Sequence, residues 1–135
     1  MQKEIKQTWQ FNQLPSVVWE YLTNAELLEQ WLMKSDFVPK LGHEFCFIAP
    51  HGKKHYCVVL EMVPNKLLSY SWKLKNATED EITLDSKVIW TLKEKDGGTE
   101  LQLVHDGFTL VEDVIGHTKG WTFLANQLVE ILKNK

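Results

Sequence analysis

Five histidines and two cysteines carry most of the reactive chemistry available to this 135-residue chain. His105 and Asp106 are adjacent, which invites reading them as an acid–base dyad. They end a run in which Thr99, Leu101, Leu103 and His105 share one parity, and neighbours on a strand point to opposite faces, so the two do not pair. A buried His105 is still a candidate general acid or base, because an imidazole titrates close to neutrality. A hydrogen-bonded histidine of the core or of a cavity wall is the plainer role. Asp113 and His117 stand four apart, the spacing of one helix face, and the ordinary meaning of such a pair is a surface ion pair. His43, His51 and His55 gather with Cys46 and Cys57 around one turn. Zinc needs four ligands converging at about 2.0–2.3 Å, and His43 and Cys46 fall on opposite parities, so no metal site is expected. No nucleophile stands beside an attendant base, Gly97-Gly98 reads as a hairpin turn rather than a phosphate loop, and no cofactor is expected.

The aromatic residues form the broader signal. Six tryptophans in one small chain are unusual, and large flat side chains line cavities as readily as they fill cores. Parity aims Phe45, Phe47, Tyr70, Trp72, Trp90 and Leu103 at one side of a sheet, facing Trp121, Leu124 and Leu128 on a helix. An apolar pocket there would use a few polar groups for orientation, and Tyr70, Trp90 and His105 are the candidates. Simple core filling accounts for any one of these residues equally well.

The elements that must position them follow from periodicity. Lys3 to Phe11 alternates, with Ile5, Gln7, Trp9 and Phe11 on one face, as a half-buried strand does. Leu14-Pro15-Ser16 opens a short helix whose stripe is Val18, Trp19 and Leu22, with proline in the first turn where its missing N–H costs nothing. Asn24 is the N-cap of a second short helix through Leu27, Leu28 and Trp31. That helix carries only Glu26 and Glu29 as charges, so the pair is not a DNA reader. Strands follow at Glu44 to Ala49, Tyr56 to Val63 and Leu67 to Leu74, the last alternating strictly with one wet side. Asn76 to Asp85 is polar and acidic and is expected to be a loop, with a lid over a pocket mouth as the alternative. Asp96-Gly97-Gly98 joins two further strands as a tight hairpin. Trp121, Leu124, Ala125, Leu128, Ile131 and Leu132 mark a closing helix, and Gly116 and Gly120 at its start are expected to permit close approach of another backbone. The order is strand, two short helices, five strands and a long helix, an α+β meander of about six strands.

With these elements the chain resembles the START-like (SRPBCC) superfamily, and within it the group named after the C-terminal domain of the heat-shock-protein-90 ATPase activator. Five segments carry the resemblance: Leu14-Pro15-Ser16-Val17-Val18-Trp19; Leu28-Glu29-Gln30-Trp31; Glu61-Met62-Val63-Pro64 with Leu67 to Trp72; Gly98-Thr99-Glu100-Leu101 through His105-Asp106-Gly107-Phe108; and Gly120-Trp121 with Leu128 and Leu132. Ala125 departs from the pattern, standing where the family usually places leucine. The resemblance implies a helix-grip fold over residues 1–135, a curved antiparallel sheet wrapped around the long last helix with a cavity between them.

Length and charge bound the rest. One domain of this size buries roughly two-thirds of its unfolded surface and folds without disulfide or metal. A net charge of −3 with no basic stripe argues against nucleic acid. No charged-then-apolar leader and no run of about 18 apolar residues argue against secretion or a membrane, so a cytoplasmic protein with reduced thiols is expected. The expected function is binding of a small hydrophobic or aromatic ligand by a monomer or homodimer. The alternatives are a chaperone-assisting interaction module, for which exposed Phe123 is the one patch candidate, and a cyclase- or hydrolase-type enzyme using His105.

Overall fold

A computed structural model describes residues 3–135. Its elements are β1 (Lys3–Phe11), α1 (Pro15–Thr23), α2 (Ala25–Trp31), β2 (Lys34–Ser35), β3 (Glu44–Ile48), β4 (Lys54–Val63), β5 (Leu67–Lys75), β6 (Ile82–Lys95), β7 (Gly98–Phe108) and α3 (Val111–Lys133). The seven strands form one curved sheet in the order β1-β7-β6-β5-β4-β3-β2, with every neighbouring pair antiparallel. The first strand therefore lies beside the last, so the sheet is completed only when both ends of the chain are in place.

Local chemistry explains most boundaries. Pro15 opens α1, and Asn24 both ends α1 and caps α2, its Oδ1 accepting from the N–H groups of Glu26 at 2.9 Å and Leu27 at 3.2 Å. The β6–β7 turn places Asp96 at φ 53° and Gly97 at φ 79°, the paired positive angles of a type I′ hairpin, between Lys95 and Gly98 in register. Alternation holds through the sheet: Phe45 and Phe47, Leu68, Tyr70 and Trp72, Val88, Trp90 and Leu92, and Leu101, Leu103 and His105 are all buried on the face that carries the helices. Trp121, Ala125, Leu128 and Leu132 of α3 close that core from the other side.

Four expectations need correction. The sheet has seven strands rather than about six, because β2 is only two residues long and too short to show a period. The acidic loop ends earlier, at Glu81: Ile82, Leu84 and Asp85 already pair with Lys75, Leu74 and Lys73. What remains is a turn in which Asn76 Oδ1 accepts from the N–H groups of Asp80 and Glu81. It lies against Tyr56, whose hydroxyl donates to Glu79, beside a lysine-lined cleft rather than over the site described below. Gly116 and Gly120 approach no other backbone, since a Cβ built on either meets nothing within 4 Å. Phe123, 67% exposed, is not the only apolar surface residue; Leu110, Val111 and Ile115 at the start of α3 are exposed as well.

Candidate ligand-binding site

A cavity of about 410 Å³ opens between the first half of α3 and the β3–β4 turn. Trp72 of β5 and Trp121 of α3 form its floor, their rings 5.2 Å apart, with Met33 and Leu124 as further apolar walls. His55 packs over Trp72 at 4.6 Å between ring centres. His51 and Ala49 border the cavity from the turn, and Glu112, Asp113, Gly116, His117 and Gly120 border it from α3. The space exists because two helix positions facing it carry no side chain.

The polar groups behind these walls form two directed hydrogen-bond chains. An indole N–H only donates. Trp121 Nε1 donates to His105 Nδ1 at 2.9 Å, so His105 carries its proton on Nε2 and donates it to Ser86 Oγ at 2.8 Å. Ser86 in turn donates to the Trp72 carbonyl at 2.6 Å. In the second chain Trp72 Nε1 donates to His117 Nε2 at 3.2 Å, and His117 Nδ1 donates to the Asp113 carbonyl at 2.9 Å. Both imidazoles are saturated and neutral. Burial, reinforced by the other imidazoles nearby, pushes the His105 pKa down to about 2, and burial also lowers that of His117. His55 differs. Its Nδ1 donates to the Phe47 carbonyl at 3.3 Å, burial holds its pKa down to about 4, and among the described residues nothing meets its Nε2.

The ten residues singled out from the sequence thus fall in two layers. Trp72, Trp121 and Leu124 line the cavity. Phe45, Phe47, Tyr70, Trp90, Leu103, His105 and Leu128 are buried behind it. There Trp90 Nε1 donates to the Tyr70 hydroxyl at 2.9 Å, and Phe45, Phe47 and Tyr70 pack with ring centres 5.4–5.7 Å apart. Sequence reasoning missed Met33, Gly116, Gly120 and above all His117, whose link with Asp113 is a backbone hydrogen bond inside the site rather than a surface ion pair. The stripe Trp121–Leu124 continued backwards by threes and fours reaches Gly120, His117, Gly116 and Asp113, and that continuation was the available signal. Buried Ala125 faces the core while its neighbour Leu124 turns to the cavity. The other titratable candidates lie apart: His43 contacts the Asp36 carbonyl, Cys46 is a free half-buried thiol, and Cys57 is a free buried one whose pKa burial raises.

The model of the family described as Activator of Hsp90 ATPase homolog 1-like protein matches residues 12–133. The chain belongs to that family. Protein MLL2253 of Mesorhizobium loti is 34% identical over 98% of each chain, and its crystal structure superposes with a TM-score of 0.90. The Aha1 dimer of Colwellia psychrerythraea, at 17% identity over 96% of each chain, superposes at 0.80. DynU16, from the dynemicin biosynthetic locus, superposes at 0.85 over 96% of this chain and 47% of its own, at 18% identity. The last two likenesses establish the helix-grip fold and nothing further. No curated protein matches the chain. Among the described residues no helix is long and apolar enough to cross a membrane.

Proposed function

We propose that this family member binds a small aromatic or largely apolar molecule in the cavity between α3 and the β3–β4 turn. The observation that carries the reading is the cavity itself: about 410 Å³, floored by two tryptophans and left open by Gly116 and Gly120. That volume is in the range of small-molecule sites and suits a compound of one or two rings. Helical glycines facing empty space weaken the helix by about 1 kcal/mol each relative to alanine, a cost that an open binding site explains and a filled core does not. No reaction is proposed, because both nitrogens of His105 and of His117 are engaged within the fold.

The test is a thermal-shift screen of the protein against apolar and aromatic compounds, run beside Gly120→Leu, whose added side chain enters the cavity. A native-state ligand at a hundredfold excess over its dissociation constant adds about 2.7 kcal/mol of stability. Compounds that stabilise the wild type and leave the folded variant unshifted support the reading; compounds that shift both equally bind elsewhere and refute it. The family description carries a second reading, a chaperone-assisting surface, and the exposed Leu110, Val111 and Ile115 at the start of α3 are the observation that favours it. Capture of heat-shock protein 90 by the wild type, lost in Ile115→Lys, would move the assignment there.

A further inference from the structure

The polar lining of the cavity is one-sided. Every strong donor near the floor is already engaged within the protein: the indole N–H groups of Trp72 and Trp121, the Nε2 proton of His105 and the Nδ1 protons of His55 and His117. What lines the space is acceptors: His55, only 9% exposed, whose Nε2 meets no donor among the described residues, and the carboxylate-bearing Glu112 and Asp113 at the rim. Among the described residues, His51, on the exposed turn, is the one bordering side chain with an N–H left over.

Charge points the same way. Of the residues lining the cavity none is lysine, and the chain contains no arginine at all, so the bidentate fork that usually holds a carboxylate or phosphate is absent from its chemistry. Among the described residues neither Glu112 nor Asp113 takes part in an ion pair. The two carboxylates stand in the first turn of α3, a helix whose N-cap Leu110 offers no side-chain acceptor. There they answer the positive end of the helix dipole, and that plainer role is compatible with this one. It also removes the feature that would otherwise attract an anion, since the helix terminus already has its negative charge.

Resting on the binding function proposed above, we infer that the cavity selects aromatic compounds bearing a cationic or donor group, an aromatic amine being the type, and disfavours aromatic carboxylates of the same size. The ring lies against Trp72 and Trp121, the ammonium group meets the Glu112 and Asp113 carboxylates, and His55 Nε2 accepts one N–H. Cation–π attraction to the tryptophans adds to the preference.

The experiment compares three probes that share one ring system: 2-naphthylmethylamine, 2-naphthylmethyl methyl ether and 2-naphthoate. Their dissociation constants are measured by calorimetry at pH 7.5 and low salt. The amine is expected to bind about tenfold more tightly than the carboxylate, with the ether between them. The Glu112→Gln/Asp113→Asn double variant, checked for helix content by circular dichroism, should reduce that gap to about twofold. Raising salt on the wild type should weaken the amine alone, which keeps the test valid if the double variant folds poorly. Equal or tighter binding of 2-naphthoate overturns the selectivity and leaves the binding function standing. No binding of any probe, together with a silent thermal-shift screen, overturns both.

Discussion

His105 is the residue in which fold and site meet. It accepts a hydrogen bond from Trp121 on the helix and donates one to Ser86, which in turn donates to the Trp72 carbonyl of β5, so it ties α3 to the sheet. Trp121→Phe replaces the indole with a smaller single ring and leaves His105 Nδ1 buried without a donor, and the orphaned buried polar group alone costs about 1–3 kcal/mol, on top of the lost packing. Urea unfolding should show that loss, and an unchanged midpoint would mean that the chain contributes nothing. Buried His55 and His105, with half-buried His117, also set the acid limit of the fold. Burial holds His55 at about 4 and His105 at about 2 and lowers His117, while in the unfolded chain each titrates near 6.5. Between those values the unfolded state binds more protons, so the stability is fully present above pH 6.5 and is lost as pH falls, at up to about 1.4 kcal/mol per unit for each histidine. Denaturation at pH 5.5 should show a protein about 2–4 kcal/mol less stable than at pH 7.5; equal stability would contradict the neutral assignment. The burial of His105 was legible in the sequence because strand parity assigns a face. The place of His117 was legible only by continuing the Trp121–Leu124 stripe backwards, since a four-residue spacing with Asp113 is the same whether the shared face looks outward or into a cavity.

Glycine shows at the scale of elements why one residue type has no single meaning. Gly116 and Gly120 lie in a helix with open space where a Cβ would stand, whereas Gly98 opens β7 hard against the Phe11 carbonyl at the end of β1. Gly116→Ala should therefore stabilise the protein by about 0.5–1 kcal/mol through helix propensity and a less flexible unfolded chain. Gly98→Ala must push β1 off the β6–β7 turn and should destabilise by about 2 kcal/mol or more. Thermal unfolding of the two variants side by side checks the opposite signs, and the same sign in both would refute the assignment of open space to α3. The sequence carried the elements well where a period ran long enough, as in β1, β5, β7 and the last turns of α3, and where turn chemistry was explicit, as at Asp96-Gly97. It failed at β2, which is too short for a period, and at Ile82 to Asp85, where acidic residues hid a strand that pairing with β5 stabilises. At the first turns of α3 it carried the helix, with Gly116 and Gly120 at its start, but not the open face, because a helical glycine reads alike whether another backbone or empty space stands before it.

Over the whole molecule the long helix changes role along its length. From Trp121 to Leu132 its inward side chains Trp121, Ala125, Leu128 and Leu132 are almost fully buried, and Gln13 Nε2 donates to the Leu132 carbonyl to fix its far end. From Val111 to Gly120 no side chain is buried, and the inward face borders the cavity. Apolar burial is the main stabilising term, at about 25 cal/mol per Å², so the free energy of opening must rise from the N-terminal to the C-terminal half. Native-state hydrogen exchange reads this directly. Amides after Trp121 should exchange only through global unfolding, and those between Val114 and Gly120 through local opening of smaller free energy. A ligand seated against Gly116, His117 and Gly120 should slow exchange in the first group of turns and leave the second moving only with global stability. Equal protection along the helix in the free protein would show that the cavity half is as firmly held as the core half. The helix that the sheet grips would then be one rigid unit, and the opening between them would have no mobile wall through which a ligand enters.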